Sequence, residues 1–298
     1  MSNVNIDPEM ADLAEALSAP GLPSITNSPP DVMRAVLSQV SPTGGPDMHS
    51  VADACIAGVS VRDYRPSARP RATILFIHGG GWVVGSVADY DSFARTLAAR
   101  TGCRVVSVEY RLAPEHPFPA AVEDVCAVYR ELSPDGPLFV GGDSAGGNLS
   151  AVLAQVDRDS GGGRLAGQIL IYPSVAGDTD TEAMRAFAPP FMGLEEISAF
   201  YDLYVPDRGQ RADPRFAPAR GVLVGLVPAL VITAGADLLA AEAQDYACAL
   251  AQAGCDVTTH HQDGAPHAYL TLAPASSAAD ATLAQIARFI DRHSSQSQ

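Results

Sequence analysis

The chain has 298 residues, of which 47% are hydrophobic and 18% charged, with a formal net charge of −15 at pH 7. This composition excludes wholesale disorder, and the length allows either one large α/β domain with insertions or two ordinary domains. Because so acidic a surface repels phosphate backbones and anionic lipids, neither nucleic acid nor a membrane surface is an expected partner.

The first seven residues contain neither a basic start nor an apolar run, so no signal peptide is expected. No stretch approaches the roughly 18 apolar residues of a membrane helix. Two short helical patterns follow. The first runs from Asp7 to Leu17, with Asp7 as N-cap and Pro8 at the first helical position, and the second runs from Pro30 to about Val40.

From about Val51 onward, apolar runs rich in β-branched residues alternate with helical patterns. Near-continuous apolar strands separated by helices are typical of a parallel sheet covered on both faces, which predicts an α/β fold. The predicted strands are Ala72–Ile77, Arg104–Val108, Leu138–Val140, Gln168–Tyr172 and Ala229–Thr233, and the predicted helices lie near 91–100, 120–132, 145–158, 241–254 and 278–293.

The alternation is interrupted once, between about Asp178 and Leu226. This segment is rich in proline, phenylalanine and tyrosine. A long insertion of this kind is more typical of a lid or cap than of a simple loop.

A serine lies between two glycines, in Gly142-Asp143-Ser144-Ala145-Gly146, where the strand Leu138–Val140 gives way to a helical pattern. In a Gly-x-Ser-x-Gly turn the nucleophile sits on strained backbone, and the glycines remove side chains that would clash there. Ser144 is therefore the predicted nucleophile. It needs a base, because a serine hydroxyl is a poor nucleophile at neutral pH.

In this architecture an acid and then a histidine follow the serine along the chain. Asp237 comes just after the strand Ala229–Thr233 and is the predicted acid, with Asp263 as the runner-up. His267 lies in a late loop and is the predicted base. The remaining candidates lie in helices, in a strand-like run or in connections, and are less well placed: Asp245, Asp256, His49, His260, His261 and His293.

The stretch His78-Gly79-Gly80-Gly81-Trp82 follows the strand Ala72–Ile77 directly. Glycines let backbone N–H groups approach a developing oxyanion, and the start of the nucleophile helix favours an anion as well. The predicted oxyanion donors are the N–H groups of Gly79, Gly80 and Ala145. His78 precedes the nucleophile and is interpreted as a structural residue that hydrogen-bonds within its own loop.

These motifs resemble the hormone-sensitive-lipase-like family of α/β-hydrolases, the bacterial esterases of family IV. The resemblance extends over nearly the whole chain from about residue 72. The matching segments are the two glycine motifs above, the signature Tyr110–Asp124, the segment Asp213–Pro218, and the surroundings of Asp237-Leu238-Leu239 and Pro266-His267-Ala268-Tyr269.

The resemblance implies an α/β-hydrolase fold, with a mostly parallel eight-stranded sheet and a helical cap. The implied division is N-terminal cap helices in 1–50, a catalytic domain in 51–177 and 216–298, and a second cap segment in 178–215. It implies a serine carboxylesterase, with a Ser-Asp-His triad, that acts on short- to medium-chain acyl esters without cofactor or metal. The chain departs from the family pattern at Ala241, where an Asp is common, and at Ala268-Tyr269, where Gly-Phe is common.

Acyl preference is expected to depend on the cap and the pocket behind Ser144. The candidate pocket residues are Trp82, Val83, Asp143, Phe191, Tyr201 and Leu238, with Val84, Met192, Phe200 and Tyr204 as further candidates. A homodimer is possible if an edge strand near Ala229–Thr233 or Val257–His261 pairs across a two-fold axis.

The five cysteines form no CxxC pair, and they are interpreted as small buried residues of a reducing, cytoplasmic compartment. Three alternatives to the esterase remain open. They are a non-catalytic small-molecule receptor on the same fold, a true interfacial lipase, and an amidase that uses the same triad.

Overall fold

The computed structural model describes residues 6–12, 15, 21, 23–161, 163–179, 181, 184–185 and 192–294. The strands are β1 (Ser50–Ile56), β2 (Val59–Arg65), β3 (Thr73–Ile77), β4 (Arg104–Val108), β5 (Leu138–Asp143), β6 (Leu165–Ile171), β7 (Ala229–Ala236) and β8 (Val257–Pro266). The helices are α1 (Pro30–Val40), α2 (Asp91–Thr101), α3 (Ala120–Glu131), α4 (Ala145–Asp159), α5 (Leu194–Tyr204), α6 (Ala240–Gln252), α7 (Tyr269–Leu272) and α8 (Ser277–Ser294).

All eight strands form one sheet, in the order β1-β2-β4-β3-β5-β6-β7-β8. β2 pairs antiparallel with β1 and with β4, and every other pairing is parallel. The predicted fold is therefore confirmed. The expectation that Ala229–Thr233 could be an edge is wrong, because β7 is flanked by β6 and β8; β8 is the edge strand on that side.

The strands β3 to β7 are buried on both faces, as their continuous apolar residues predict. Alternate residues of β3 enter two separate cores, with Ile74 and Phe76 in one and Leu75 and Ile77 in the other. The first core also contains apolar residues of α2 and α8, and the second contains those of α3, α4 and α6. Since side chains alternate across a strand, this division places helices on both sides of the sheet.

Helix α1 is attached to the sheet domain through Arg34. The Arg34 guanidinium donates hydrogen bonds to the carbonyl oxygens of Val83 and Ala113, each at 2.9 Å, and to the Glu115 carboxylate. The loop that follows β3 and the signature segment are therefore both tied to the N-terminal helix.

The structure describes only part of the first predicted helix. Pro8–Met10 form a single 3₁₀ turn, and the Asp7 carboxylate accepts a hydrogen bond from the Glu9 N–H as the N-cap. Met10 is fully buried, and the Asp7 N–H donates to the Gly264 carbonyl in β8. This turn therefore packs against the sheet domain at β8.

Cys103 and Cys126 are buried as expected, whereas Cys55 and Cys248 are exposed. Within the described ranges, no helix has the length and hydropathy needed to cross a membrane.

Candidate active site

Three side chains predicted from the sequence form one hydrogen-bonded row. The Ser144 Oγ lies 3.0 Å from His267 Nε2, and His267 Nδ1 lies 2.7 Å from Asp237 Oδ2. Because a carboxylate only accepts hydrogen bonds, Nδ1 donates to Asp237, which leaves Nε2 free to accept the Ser144 proton. The side chains of His267 and Asp237 are 5% and 0% exposed, so water is largely excluded from the row.

The strand register brings these residues together. Ser144, Asp237 and His267 are each the first residue after a strand, namely β5, β7 and β8. Ala236 at the end of β7 pairs with Pro266 at the end of β8, so the residues that follow them are neighbours. The carboxyl ends of parallel strands lie at one edge of a sheet, where open α/β folds place their sites.

The backbone at Ser144 is strained, with φ 54° and ψ −117°. A left-handed conformation is costly for a residue that is not glycine, and such strain is found mainly at functional sites. The flanking glycines are required by close packing. A Cβ on Gly142 or on Gly146 would overlap the carbonyl oxygen of Ile77.

Asp237 is also fixed from the other side, because its Oδ1 accepts the N–H of Leu239 at 2.9 Å. The rival acids Asp245, Asp256 and Asp263 are all exposed. Of the rival histidines, His261 bonds to Thr233, His260 bonds to Thr282, and His293 is buried 3.9 Å from Asp256.

The predicted oxyanion donors need one correction. The Gly79 N–H donates to Asp143 Oδ1 at 2.8 Å, so it is not available to a substrate. The N–H groups of Gly80, Gly81 and Ala145 have no hydrogen-bond acceptor within the described chain, and all three residues line the same cavity as Ser144. The glycine N–H groups that are free to meet a substrate in the cavity are therefore those of Gly80 and Gly81, one residue later than the predicted pair.

The glycine loop is held by Asp143, which is almost completely buried beside the nucleophile. Its second oxygen accepts a hydrogen bond from the Tyr90 hydroxyl at 3.0 Å. Burial raises the pKa of Asp143 to about 6, against the opposing effect of these hydrogen bonds. This carboxyl thus connects the loop after β3 to the nucleophile turn.

His78 also stabilises the loop, as predicted. Its Nδ1 donates to the Gly79 carbonyl at 2.8 Å, and its ring stacks on Tyr110 with centroids 4.3 Å apart. Burial lowers the pKa of His78 to about 4, so the ring is neutral at pH 7.

A cavity of about 790 Å³ opens above Ser144 and His267. Of the predicted pocket residues, Trp82, Asp143 and Tyr201 line it, and so do the further candidates Val84, Met192 and Phe200. Val83 and Leu238 do not line it, whereas the neighbouring Leu239 does. Tyr204 stacks on Trp82 away from the lining, and Phe191 lies outside the described residues.

Sequence reasoning missed several residues of the cavity. Met33, Val36 and Leu37 of α1 line it. Ser174 also lines it and follows β6 by three residues, so the rule that selected Asp237 after β7 could have found it. Within the described ranges no group of His, Cys, Asp or Glu is arranged to hold a metal ion.

The site and sheet define an α/β-hydrolase, and the family comparison agrees. A model of the α/β-hydrolase fold family matches residues 74–271, which is more than half of the chain. The chain therefore belongs to this family, and its resemblance to the hormone-sensitive-lipase-like esterases is confirmed.

Relatives within the family are named as ester hydrolases. The chain is 38% identical over 262 residues to the carboxylic ester hydrolase LipN of Mycobacterium tuberculosis, which covers 80% of this chain and 69% of LipN. It is 32% identical over 250 residues to an ethyl acetate hydrolase of Pseudomonas putida, covering 78% of each.

Solved structures agree over nearly the whole chain. An ester hydrolase from the Lake Arreo metagenome, in complex with a bipyridine phosphonate derivative, superposes with a TM-score of 0.88 at 33% identity and covers 97% of this chain and 99% of its own. The hyperthermophilic esterase of the archaeon Pyrobaculum calidifontis superposes with a TM-score of 0.86 at 32% identity, covering 96% and 98%.

Proposed function

We propose that this chain is a serine carboxylester hydrolase that cleaves short- to medium-chain acyl esters through an acyl-enzyme. The observation that carries the proposal is the hydrogen-bonded row from Ser144 through His267 to Asp237, which opens into the cavity. The names of the relatives support the ester as the substrate class. A cavity of about 790 Å³ supports a small substrate, since small-molecule sites span about 300–1,000 Å³.

In the first half of the reaction, the Ser144 Oγ attacks the ester carbonyl carbon while its proton passes to His267 Nε2. Asp237 orients the imidazole and stabilises its charged form. The tetrahedral oxyanion accepts hydrogen bonds from the N–H groups of Gly80, Gly81 and Ala145, each contributing about 3–4 kcal/mol in the transition state. The alcohol then leaves with the proton from His267, and the acyl group remains on Ser144.

In the second half, a water molecule attacks the acyl carbon and gives a proton to His267. The second tetrahedral intermediate collapses, and Ser144 regains its proton as the carboxylic acid departs. No other group is required, because nucleophile, base, acid and oxyanion donors all come from this chain.

The decisive test is Ser144→Ala with a series of p-nitrophenyl esters from acetate to decanoate. We expect kcat to fall by more than about 10⁴-fold for every ester that the parent hydrolyses. Ser160→Ala is the control, because Ser160 is exposed at the far end of the helix that begins at Ala145.

A fluorophosphonate probe gives a second readout that needs no substrate. It should label the parent and Ser160→Ala but not Ser144→Ala. Ester turnover retained by Ser144→Ala, or labelling at another residue, would contradict the assignment.

A further inference from the structure

Two hydroxyl groups face each other in the wall of the cavity. The Ser174 Oγ lies 2.6 Å from the Tyr201 hydroxyl oxygen, and both residues line the cavity beside Ser144. They come from different parts of the chain, because Ser174 follows β6 and Tyr201 belongs to α5. Both side chains are almost completely buried, so their hydroxyl groups depend on partners in the protein or in the cavity.

The pair has one hydrogen-bond donor in excess. Two hydroxyl groups carry two protons, and the single hydrogen bond between them uses one. Whichever oxygen donates, the other O–H has no acceptor among the described residues. An unsatisfied donor costs free energy when buried, and the neighbouring cavity offers room for an acceptor on a substrate.

The pair is held rigidly from both sides. On the Ser174 side, Asn148 Nδ2 donates to the Ser174 carbonyl at 2.7 Å, and Glu242 Oε1 accepts the N–H of Val175 at 2.6 Å. On the other side, the Tyr201 ring packs edge-on against Phe216 with centroids 4.9 Å apart.

Glu242 holds the loop that contains Ser174 at a cost in free energy, which points to a functional need for the position of this loop. Its side chain is buried, it makes no ion pair within the described chain, and its Oε2 has no hydrogen-bond partner there. Burying a carboxyl without a cation costs several kcal/mol, and such groups are concentrated at functional sites.

We propose that Ser174 and Tyr201 form a hydrogen-bonding subsite that recognises an oxygen atom of the substrate other than the reacting carbonyl oxygen. The favoured substrates are esters with a second oxygen within a few atoms of the scissile bond, such as alkoxy, hydroxy or keto esters. This inference rests on the proposed esterase function and adds the chemical class of substrate to it.

The test compares esters of equal shape in which one methylene is replaced by oxygen. The acyl pairs are p-nitrophenyl butanoate with methoxyacetate, and pentanoate with 3-methoxypropanoate. The alcohol pair is butyl acetate with 2-methoxyethyl acetate, and their hydrolysis is measured from the acetic acid that is released. The selectivity is the kcat/KM for the oxygen ester divided by the kcat/KM for its methylene partner. Comparing this selectivity between the parent and a variant cancels the difference in chemical reactivity between the two esters.

The variants are Ser174→Ala, Tyr201→Phe and the double variant, because either hydroxyl alone can still donate. For at least one pair, we expect the double variant to lose about 3- to 10-fold in selectivity, as for one hydrogen bond, and the single variants to lose less. Tyr204→Phe is the matched control, since this hydroxyl of the same helix is buried, has no hydrogen-bond partner among the residues that the structure describes, and does not line the cavity. It should leave the selectivity unchanged.

The subsite is overturned if the double variant keeps a selectivity within twofold of the parent's for all three pairs of esters. Thermal unfolding checks that each variant folds; if the double variant does not, Ser174→Cys combined with Tyr201→Phe takes its place, because it removes both hydroxyl groups with a smaller change of shape, and the same criterion applies. A parent that hydrolyses none of the six esters contradicts the esterase itself, so the two failures are distinguishable.

Discussion

The edge of the sheet and the wall of the cavity differ in how the chain positions their residues. Ser144, Asp237 and His267 each follow a strand directly, so the pairing of the parallel strands sets their separations. The wall includes residues of α1 and α5, which belong to distant parts of the chain. The chemistry is therefore fixed by backbone hydrogen bonds, whereas the shape that selects a substrate depends on a few side-chain attachments.

The largest expected effect is at the sheet edge, for Asp237→Asn. An amide at this position favours the wrong tautomer of His267, so we expect kcat to fall by about 10⁴-fold with little change in KM. Asp263→Asn is the matched control, because the Asp263 side chain is 98% exposed and contacts the exposed His261 rather than His267. Steady-state kinetics with p-nitrophenyl butanoate measure both, and a larger loss in Asp263→Asn would exchange the two assignments.

The next largest effect is expected on the free energy of unfolding and concerns Glu242. This residue lies in the first turn of α6 and accepts a hydrogen bond from Val175, next to Ser174 in the cavity wall. Burial, with a smaller contribution from the nearby charges of Asp237 and Asp178, raises the pKa of Glu242 from 4.5 to about 7, against the opposing effect of the hydrogen bonds from the N–H groups of Val175 and Ala176. The folded state therefore holds more protons than the unfolded state between about pH 4.5 and 7, and the free energy of unfolding decreases as the pH rises across that range. For this group alone the decrease is at most about 3 kcal/mol.

Glu242→Gln removes this titration and should flatten the pH dependence of stability. Urea unfolding of both proteins at several pH values measures it, with Glu131→Gln, an exposed residue at the end of α3, as the control. If the parent and Glu242→Gln have the same slope, Glu242 does not titrate in this range.

A smaller effect is expected where the two regions meet, at Asp143. Its carboxylate accepts from both the Gly79 N–H and the Tyr90 hydroxyl, and Asp143→Asn leaves only one oxygen for these two donors. A hydrogen bond to a charged group contributes about 1.5–3 kcal/mol, so we expect kcat to fall by about 10- to 100-fold. KM should change little, because the glycine loop acts mainly on the transition state. A raised KM with kcat retained would instead indicate a role in substrate binding.

The same contrast explains how much the sequence could predict. The strands, the nucleophile turn and the order of serine, acid and histidine follow from local patterns, and the sequence selected three residues that the structure brings together. The wrong glycine, Gly79, could not be recognised locally, because its N–H is used by a carboxylate 64 residues later. Val83 and Leu238 failed for a related reason: which of two neighbouring apolar residues faces the cavity depends on tertiary packing.

The smallest effect is expected for Arg34→Ala, which tests whether the cavity wall can be loosened without changing the chemistry. Arg34 attaches α1 to two carbonyl oxygens and to Glu115, and the adjacent Met33 lines the cavity. Because the Arg34–Glu115 pair is 29% and 55% exposed, its loss should lower the free energy of unfolding by only about 1 kcal/mol. We expect KM to rise by about 3- to 10-fold with kcat within twofold of the parent's.

Arg34→Lys should not restore KM, because a lysine cannot reproduce the forked contacts of a guanidinium. A fall in kcat at unchanged KM would mean that α1 acts on the row of Ser144, His267 and Asp237, and that the edge and the wall are not independent.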